Sequence, residues 1–530
     1  MIDFLTSIGY MHWVLPVLLL IPTLGAMAIW LQGAPGRGAP GADDVASGAA
    51  SVPRLMAFVT FLVEFIVSIG LWWTYDTTNP GWQGVFDVPW IPSWGIHFRL
   101  GIDGISLMMI LLTTSTMVLA VLGGWTSIRK RAHTYYALLL ILTAGMLGVF
   151  MSLDLFLFYV MWEVMLVPMY FIIGVWGGER RVYASMKFFI YTMVGSMLML
   201  VAIVYLGLAA KSPITGIPNF NYDAVLEHAS ITTAASFWLF GAFFLAFAVK
   251  VPMFPFHTWL PDAHVEAPTA GSVVLASIML KLGTFGFLRL AVPLFPAVAT
   301  NDTVRGIILT LAVIGIVYGA LVSLVQPDFK KLVAYSSVSH LGFVMLGIFA
   351  LTVQSVQGAL MVMINHGIST GALFFLIGMI YERRHTRLIE DYGGIARVVP
   401  MFAAALTLVT FSSIGVPGTN VFVGEFLVLL GAFRTYPVFA FIAATAVIFA
   451  AAYLLWAIQR ILFNALDKPV NLHIPDLNRR ELALLVPLLA GIVWLGVYPK
   501  PVLSRMETSA EHFVQSVQTR ALHTVAEGNN

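Results

Sequence analysis

Cysteine is absent from the 530-residue sequence, and charged residues make up only 10% of it. Without thiolates the chain cannot form disulfides, and it cannot hold an iron–sulfur cluster or a zinc site built on cysteine. Soluble proteins carry about 25% charged residues, so this composition, 59% hydrophobic, predicts an integral membrane protein. The formal net charge of +2 is too small to suggest nucleic-acid binding.

Apolar runs of about 20 residues predict fourteen transmembrane helices, because a helix of that length crosses the hydrocarbon core. The predicted spans are 10–31, 55–75, 103–126, 134–151, 153–176, 183–209, 234–258, 267–292, 304–325, 331–350, 355–381, 399–433, 437–464 and 481–499. The fold class is therefore all-α. No basic residue precedes the first span, which favours a retained helix over a cleaved signal peptide. The Gly/Ala-rich stretch after the first span predicts a loose surface loop.

Lysine and arginine are distributed unequally over the predicted connections. Eighteen follow odd-numbered spans: Arg37, Arg54, Arg129, Lys130, Arg131, Arg180, Arg181, Lys187, Lys330, Lys331, Arg383, Arg384, Arg387, Arg397, Arg460, Lys468, Arg479 and Arg480. Only Arg99, Lys211, Arg305 and Arg434 follow even-numbered spans, although the C-terminal tail adds Lys500, Arg505 and Arg520. Because basic connections stay in the cytoplasm, both termini are predicted to be non-cytoplasmic.

We single out six ionisable residues that sit well inside predicted spans. They are Glu163, Lys250, Lys281, His340, His366 and Glu425. A charge at the centre of a membrane helix costs about 2.5–3.5 kcal/mol, so these groups must face the interior of the bundle and share water or one another. Their recurrence at about one per helix predicts a proton relay. Structural ion pairs or capped polar groups are the alternative.

Two predicted spans are interrupted by proline. Val251-Pro252 lies in span seven, and Gly415-Val416-Pro417-Gly418 lies in span twelve. Either proline alone is most simply a kink, but broken helices in corresponding halves are typical of inverted repeats around a midplane ion site. We predict five-helix repeats at 134–292 and 304–464, preceded by three helices in 1–133 and followed by span fourteen and a tail in 465–530.

Glu425 is predicted to be the proton-release group. It lies eight residues beyond Pro417, a little over two turns if the helix resumes there. This spacing places it away from the break, towards the outer end of the path.

Other polar motifs have simpler interpretations. The set His257, Asp262, His264 and Glu266 fits no zinc spacing, so no metal is expected. Asp103 and Asp154 stand at the starts of spans three and five, where a carboxylate caps a helix.

Several long stretches resemble one known family. They are "MWEVMLVPMYFIIGVWGGERRVYASMKFFIYTMVGS", "KVPMFPFHTWLPDAHVEAPTAGSVVLASIMLKLGTFGFLRL", "QPDFKKLVAYSSVSHLGFVMLG", "NHGISTGALFFLIGMIYERRHTR" and "GVPGTNVFVGEF". Over about residues 95–500 the chain resembles the antiporter-like subunits of proton-pumping NADH:quinone oxidoreductase, respiratory complex I. The resemblance implies fourteen helices, inverted repeats with broken seventh and twelfth helices, and proton transfer. It places the essential glutamate at Glu163, the lysines at Lys250 and Lys281, the central histidines at His340 and His366, and the exit-side glutamate at Glu425.

Within that family the chain is most similar to the subunit M branch, equivalent to chain 4 of the mitochondrial enzyme, because Glu425 stands where the L and N subunits typically carry lysine. The resemblance implies L-like and N-like subunits and lipid as partners, and a bacterial inner membrane as the location. It implies no cofactor here, with NADH, FMN, Fe–S clusters and quinone in partner subunits. An Mrp-type cation/proton antiporter subunit and a structural scaffold are the competing functions. The "DGISL" stretch favours complex I over Mrp.

Overall fold

A computed structural model describes residues 2–32 and 51–528. Within these ranges thirteen helices are long and apolar enough to cross a membrane: α1 Tyr10–Gln32, α2 Ser51–Thr74, α3 Gly104–Gly123, α4 Ala132–Met151, α5 Leu155–Trp176, α6 Arg181–Ala209, α7a Thr233–Lys250, α8 Thr269–Leu294, α9 Asp302–Leu324, α10 Phe329–Ala350, α11 Val353–Arg384, α13 Pro437–Phe463 and α14 Arg479–Val497. The multi-pass helical membrane fold is thus confirmed. Almost all of the predicted loop after α1 lies outside the described residues.

The seventh and twelfth helices are both broken in the membrane. The helix α7a ends at Lys250, and the chain becomes helical again in α7b, Trp259–Glu266. The twelfth is divided into α12a, Pro400–Ile414, and α12b, Asn420–Thr435. Two glycines in the second break adopt φ of 82° and 91°, a left-handed backbone that glycine adopts without steric cost. The repeat boundaries and the inverted relation of the two units stay predictions.

Two further irregularities were not predicted. The fifth helix is interrupted at Met165, directly after its first part, Leu155–Val164. The eighth contains two wide π-helical turns, Leu275–Met279 and Phe287–Ala291. Such turns leave backbone carbonyls outside the regular hydrogen-bond ladder and recur at functional sites.

A β-hairpin connects α2 to α3, where the sequence analysis saw only a connection. Strand β1, Gln83–Ile91, pairs antiparallel with β2, Ile96–Ile102. Gly95 closes the turn at φ 61°, and a Cβ there would lie 1.9 Å from the Pro218 carbonyl oxygen. We call this side of the bundle the hairpin end. The opposite side, with Arg129, Arg180 and Lys330, is the basic end.

The C-terminal segment is a long helix, α15, Lys500–Gly528, rather than the predicted tail. It lies against the hairpin end, where Ser509 Oγ accepts a 2.9 Å hydrogen bond from the Gly104 amide, and Thr508 Oγ1 donates to the Thr77 carbonyl at 2.6 Å. Its apolar positions pack on α3, α8 and α11, so the sequence scan for continuous apolar runs did not detect it.

The most enclosed helices of the bundle are α8, α10 and α11. In the apolar stretch of each of these helices, between 94% and 100% of the residues are buried within the protein. These three helices carry Lys281, His340 and His366, so their ionisable side chains face protein on every side.

The predicted helix caps are present. Asp103 accepts the Ser106 amide, and Asp154 accepts the amides of Phe156 and Leu157. Both carboxylates lie at the hairpin end and fix where α3 and α5 begin.

Candidate functional site

Four of the six candidate residues form a row that runs from α8 through α11 and α10 to α12b. Lys281 Nζ lies 2.6 Å from His366 Nδ1, and the His366 and His340 rings have centroids 5.7 Å apart. His340 Nδ1 then lies 2.7 Å from Glu425 Oε1. Each of the four is nine-tenths buried or more. The row therefore consists of ionisable groups that are in contact or one ring apart.

The Lys281 ammonium is held by the local backbone of α8. Besides His366, its Nζ contacts the Ala276 carbonyl oxygen at 2.5 Å. Ala276 lies in the first π-helical turn, where the widened ladder makes this carbonyl available to a side chain. Small residues let α8 and α11 pack closely here, since Ser277 Oγ donates to the Gly367 carbonyl at 2.8 Å.

Glu425 lies at the break of the twelfth helix, so the prediction that it lies away from the break was wrong. The helix resumes at Asn420 rather than at Pro417, which puts Glu425 in the second turn of α12b. Side chains in a helix point towards its N-terminus, and a Cβ at Gly415 would lie 3.5 Å from Glu425 Oε2.

A buried polar clasp joins α11 to both sides of this break. Asn365 Nδ2 donates to the Asn420 carbonyl at 2.6 Å, and Ser412 Oγ donates to Asn420 Oδ1 at 2.6 Å. Ser369 Oγ contacts Ser412 Oγ at 2.7 Å. Because Asn365 precedes His366, the clasp fixes the break relative to the row.

The other two candidates form a second, looser group. Lys250 ends α7a, and its Nζ lies 5.5 Å from the Trp162 ring centroid and 5.3 Å from that of Phe188. Glu163 interacts electrostatically with Lys250 and with the Ser196 hydroxyl. Within the described residues, Glu163 and Lys250 form no ion pair within 4.0 Å.

The break in the seventh helix packs against α8. A Cβ at Gly283 would lie 2.9 Å from the Phe247 carbonyl and from the Val251 nitrogen. Trp259 Nε1 donates to the Val249 carbonyl at 2.8 Å, which satisfies a carbonyl released by the break. Lys250 and Lys281 thus stand on two helices that touch at the break.

His264 is a buried histidine that the sequence analysis assigned only to a discounted metal cluster. It lies in α7b, a buried helix where a connection was predicted, and its ring stacks on Phe374 at 4.6 Å. It interacts electrostatically with Lys281, His366 and Lys330. The prolines of this segment are typical of a loop, so the helix was not predicted. The available signal was that His264 lies within one of the stretches that carry the family resemblance.

The discounted metal cluster is dispersed. Asp262 pairs with Lys187 at 2.8 Å, Glu266 accepts the Arg180 amide at 2.9 Å, and the His257 ring stacks on Phe254. Across residues 2–32 and 51–528, no group of three or more His, Cys, Asp or Glu side chains is placed to hold a metal ion.

A cavity of about 570 Å³ opens at the basic end, between α5, α7b, α10 and α11. Its lining includes Glu266, Lys330, Glu382 and Arg387. Lys330 Nζ donates to the Ala267 carbonyl at 2.7 Å, one turn from His264. The cavity lining also includes Val265, the neighbour of His264 in α7b.

The chain matches one family model over residues 152–450, described as NADH:quinone oxidoreductase/Mrp antiporter, TM. It is 45% identical over 468 residues to NADH-quinone oxidoreductase subunit M of Rhodobacter capsulatus, which covers 87% of this chain and 90% of that protein. It is 43% identical over 464 residues to NADH-ubiquinone oxidoreductase chain 4 of Arabidopsis thaliana, covering 87% and 92%.

Two solved structures share the fold. A chain of respiratory complex I from Thermus thermophilus with bound NADH superposes with a TM-score of 0.83 at 31% identity, over 95% of this chain and 99% of that chain. A chain of the Mrp complex from Dietzia sp. DQ12-45-1b gives a TM-score of 0.78 at 20% identity, over 97% of this chain and 56% of that chain. The second likeness concerns the fold alone.

Proposed function

The chain belongs to the NADH:quinone oxidoreductase/Mrp antiporter transmembrane family, in the branch of subunit M and chain 4, and on this premise we propose that its buried row of side chains carries protons. It is a proton-pumping, antiporter-like membrane subunit of NADH:quinone oxidoreductase. An Mrp-type antiporter subunit is the weaker alternative, since the Mrp chain is only 20% identical and little more than half covered.

The observation that carries the proposal is the contact sequence Lys281–His366–His340–Glu425. Protons move between groups that are hydrogen-bonded or separated by one water. Lys281 and His366 satisfy this at 2.6 Å, as do His340 and Glu425 at 2.7 Å. The step between the two histidines, whose ring centroids are 5.7 Å apart, needs a ring rotation or a water molecule.

We place proton entry at the basic end and release beyond Glu425. A proton would pass from the 570 Å³ cavity past His264 to Lys281. Glu425 ends the row at the break of the twelfth helix, where irregular backbone can admit water. Glu163 would control the protonation of Lys250, because a negative charge near Lys250 lowers the cost of keeping its ammonium group charged.

We propose that this chain has no redox centre of its own and that NADH, FMN, Fe–S clusters and quinone bind to partner subunits. The lack of cysteine supports this, since protein-held Fe–S clusters use thiolate ligands. L-like and N-like antiporter subunits are the proposed neighbours in the membrane. The proposed location is a bacterial inner membrane, with the basic end cytoplasmic and both termini outside.

Glu425→Gln tests the proposal. The amide keeps the shape of the side chain but cannot take up and release a proton. NADH-driven proton uptake in inverted membrane vesicles should therefore fall strongly, together with the coupled oxidoreductase rate, at equal amounts of assembled complex.

Glu227→Gln makes the same chemical change at a side chain that is 71% exposed at the hairpin end, and it serves as the control. It should leave pumping unchanged. Full pumping in Glu425→Gln vesicles would remove Glu425 from the pathway.

A further inference from the structure

Two cations hold the C-terminal end of α7b, the short helix that carries His264. Arg387 Nη1 donates to the Val265 carbonyl at 2.8 Å. Lys330 Nζ donates to the Ala267 carbonyl at 2.7 Å. The last carbonyls of a helix have no partner within the helix and carry the negative end of its dipole, so a lysine and an arginine are well matched to them. We call Lys330 and Arg387 the α7b anchor.

The α7b anchor belongs to other parts of the bundle than α7b itself. Lys330 is the second residue of α10, and Arg387 lies in the connection between α11 and α12a. Asp328, the N-cap of α10, pairs with Arg387 at 3.2 Å. Among the described residues Lys330 forms no ion pair within 4.0 Å. The Lys330 ammonium is therefore held by the carbonyls at the end of α7b, and it is only 8% exposed.

Two neutral donors complete the attachment of this end. Ser272 Oγ, on α8, donates to the His264 carbonyl at 3.0 Å. The Gly178 amide, between α5 and α6, donates to the Glu266 carbonyl at 2.9 Å. At its other end, α7b is held by the hydrogen bond from Trp259 beside Lys250. The position of the whole helix is thus set by contacts at its two ends.

The ring of His264 has no hydrogen bond that could fix it independently. Both ring nitrogens are buried, and neither has a hydrogen-bond partner within residues 2–32 and 51–528. The place of the ring relative to Lys281, with which it interacts electrostatically, is therefore set by the backbone of α7b and by the stacking on Phe374. Proton transfer requires a hydrogen bond or one bridging water, so a small shift of α7b changes whether the imidazole can take part in it.

We propose that Lys330 and Arg387 are positioning residues of the relay, which hold the carbonyls at the end of α7b and thereby fix the distance between the His264 ring and Lys281. Neither cation has to release a proton for this role. It rests on the proposed passage of protons past His264.

The test replaces Lys330 with methionine, which keeps most of the length of the side chain but donates no hydrogen bond. Hydrogen exchange of backbone amides is measured by mass spectrometry on the assembled, purified complex. Peptides that cover residues 259–267 should exchange about tenfold faster in Lys330→Met, the order expected for losing a hydrogen bond from a charged group. Lys330→Arg should restore normal exchange, because a guanidinium can donate to the same carbonyls.

NADH-driven proton uptake in inverted vesicles is measured on the same variants. It should fall about tenfold or more in Lys330→Met, because a displacement of about 1 Å can cost about a hundredfold in rate. Lys330→Arg should recover most of it. Lys331→Met is the matched control, since the side chain of this neighbouring lysine makes no ion pair within the described part of the chain. It should leave both exchange and pumping normal.

His264→Phe separates this proposal from the proposed function. Phenylalanine can keep the stacking on Phe374 but cannot carry a proton, so pumping should fall while the exchange of 259–267 stays normal. If His264→Phe pumps normally and Lys330→Met still exchanges faster, the anchor holds α7b, and the passage of protons past His264 fails.

Three results overturn the positioning role. The first is unchanged exchange of 259–267 in Lys330→Met. The second is the same acceleration in Lys331→Met, which would show that any change at the start of α10 loosens this region. The third is normal pumping in Lys330→Met when His264→Phe does not pump. Should Lys330→Met not assemble, Lys330→Gln and Lys330→Arg give the same comparison, the first expected to exchange faster and the second at the normal rate.

Discussion

At the scale of single residues, the two halves of the site use their lysines differently. Lys281 is hydrogen-bonded on two sides, to Ala276 and His366. Lys250 has aromatic rings around it and a carboxylate at longer range. In the proposed function, these contacts suit Lys281 to direct proton exchange, and they suit Lys250 to a response to the charge on Glu163.

Lys250→Ala should lower proton pumping on the order of a hundredfold, the lower end of the range for losing a proton-transfer group. Lys250→Arg should not restore it fully, because a guanidinium does not release its proton. The measurement is NADH-driven proton uptake in vesicles, normalised to assembled complex. Lys211→Ala, at an exposed lysine of the hairpin end, is the control and should pump normally. Normal pumping in Lys250→Ala would exclude the relay role.

Glu163→Gln should also lower pumping strongly, whereas Glu163→Asp should retain part of it. The aspartate keeps the negative charge that acts on Lys250, and the amide does not. The same uptake assay distinguishes the two variants, with Glu179→Gln at the exposed basic end as the matched control. Equal activities of the Gln and Asp variants would show that the charge is not what matters at this position.

At the scale of elements, the broken twelfth helix decides where Glu425 lies. The sequence places a proline-glycine break before it, but the number of residues in the break could not be read from the spacing alone. The helix resumes at Asn420, which the clasp holds through its carbonyl and its side chain. The restart lies three residues beyond Pro417, so Glu425 lies close to the break rather than two turns away from it.

Gly418→Ala should destabilise the protein by about 1–2 kcal/mol, the cost of a left-handed backbone for a residue with a Cβ. Gly418 has φ 91° and open space around it, so no clash adds to this strain. The control is Gly241→Ala in α7a, also in open space but in ordinary helical geometry, which should be neutral or slightly stabilising. The measurement is the temperature at which this subunit is lost from the purified complex. Equal midpoints would show that the break tolerates a side chain.

At the scale of the whole molecule, the unequal basic residues and the hairpin define two different ends. Three of the basic residues that oppose the asymmetry contact other groups of the protein. Arg99 pairs with Asp223, Arg305 pairs with Asp302, and Arg505 donates to the Trp72 carbonyl. The orientation therefore rests on the eighteen basic residues that follow odd-numbered spans, against which these three are few.

Single cysteines test the orientation without background, because the chain has none of its own. Lys211→Cys at the hairpin end should react with a membrane-impermeant maleimide on intact spheroplasts. Glu179→Cys at the basic end should react only after the membrane is opened or in inverted vesicles. Both positions are exposed in the protein. The reverse labelling would place the basic end outside.

The sequence by itself determined the membrane class, most helix positions, the two breaks and the six ionisable residues, because long apolar runs, prolines and intramembrane charges are local signals that do not depend on the partner helix. Only the tertiary structure decided which of those charges touch. Lys281 and His366 lie 85 residues apart and meet because small residues let α8 and α11 approach closely. The hairpin, the buried His264 helix and α15 were missed, because their polar and proline-rich segments acquire helical or strand structure only against the rest of the bundle.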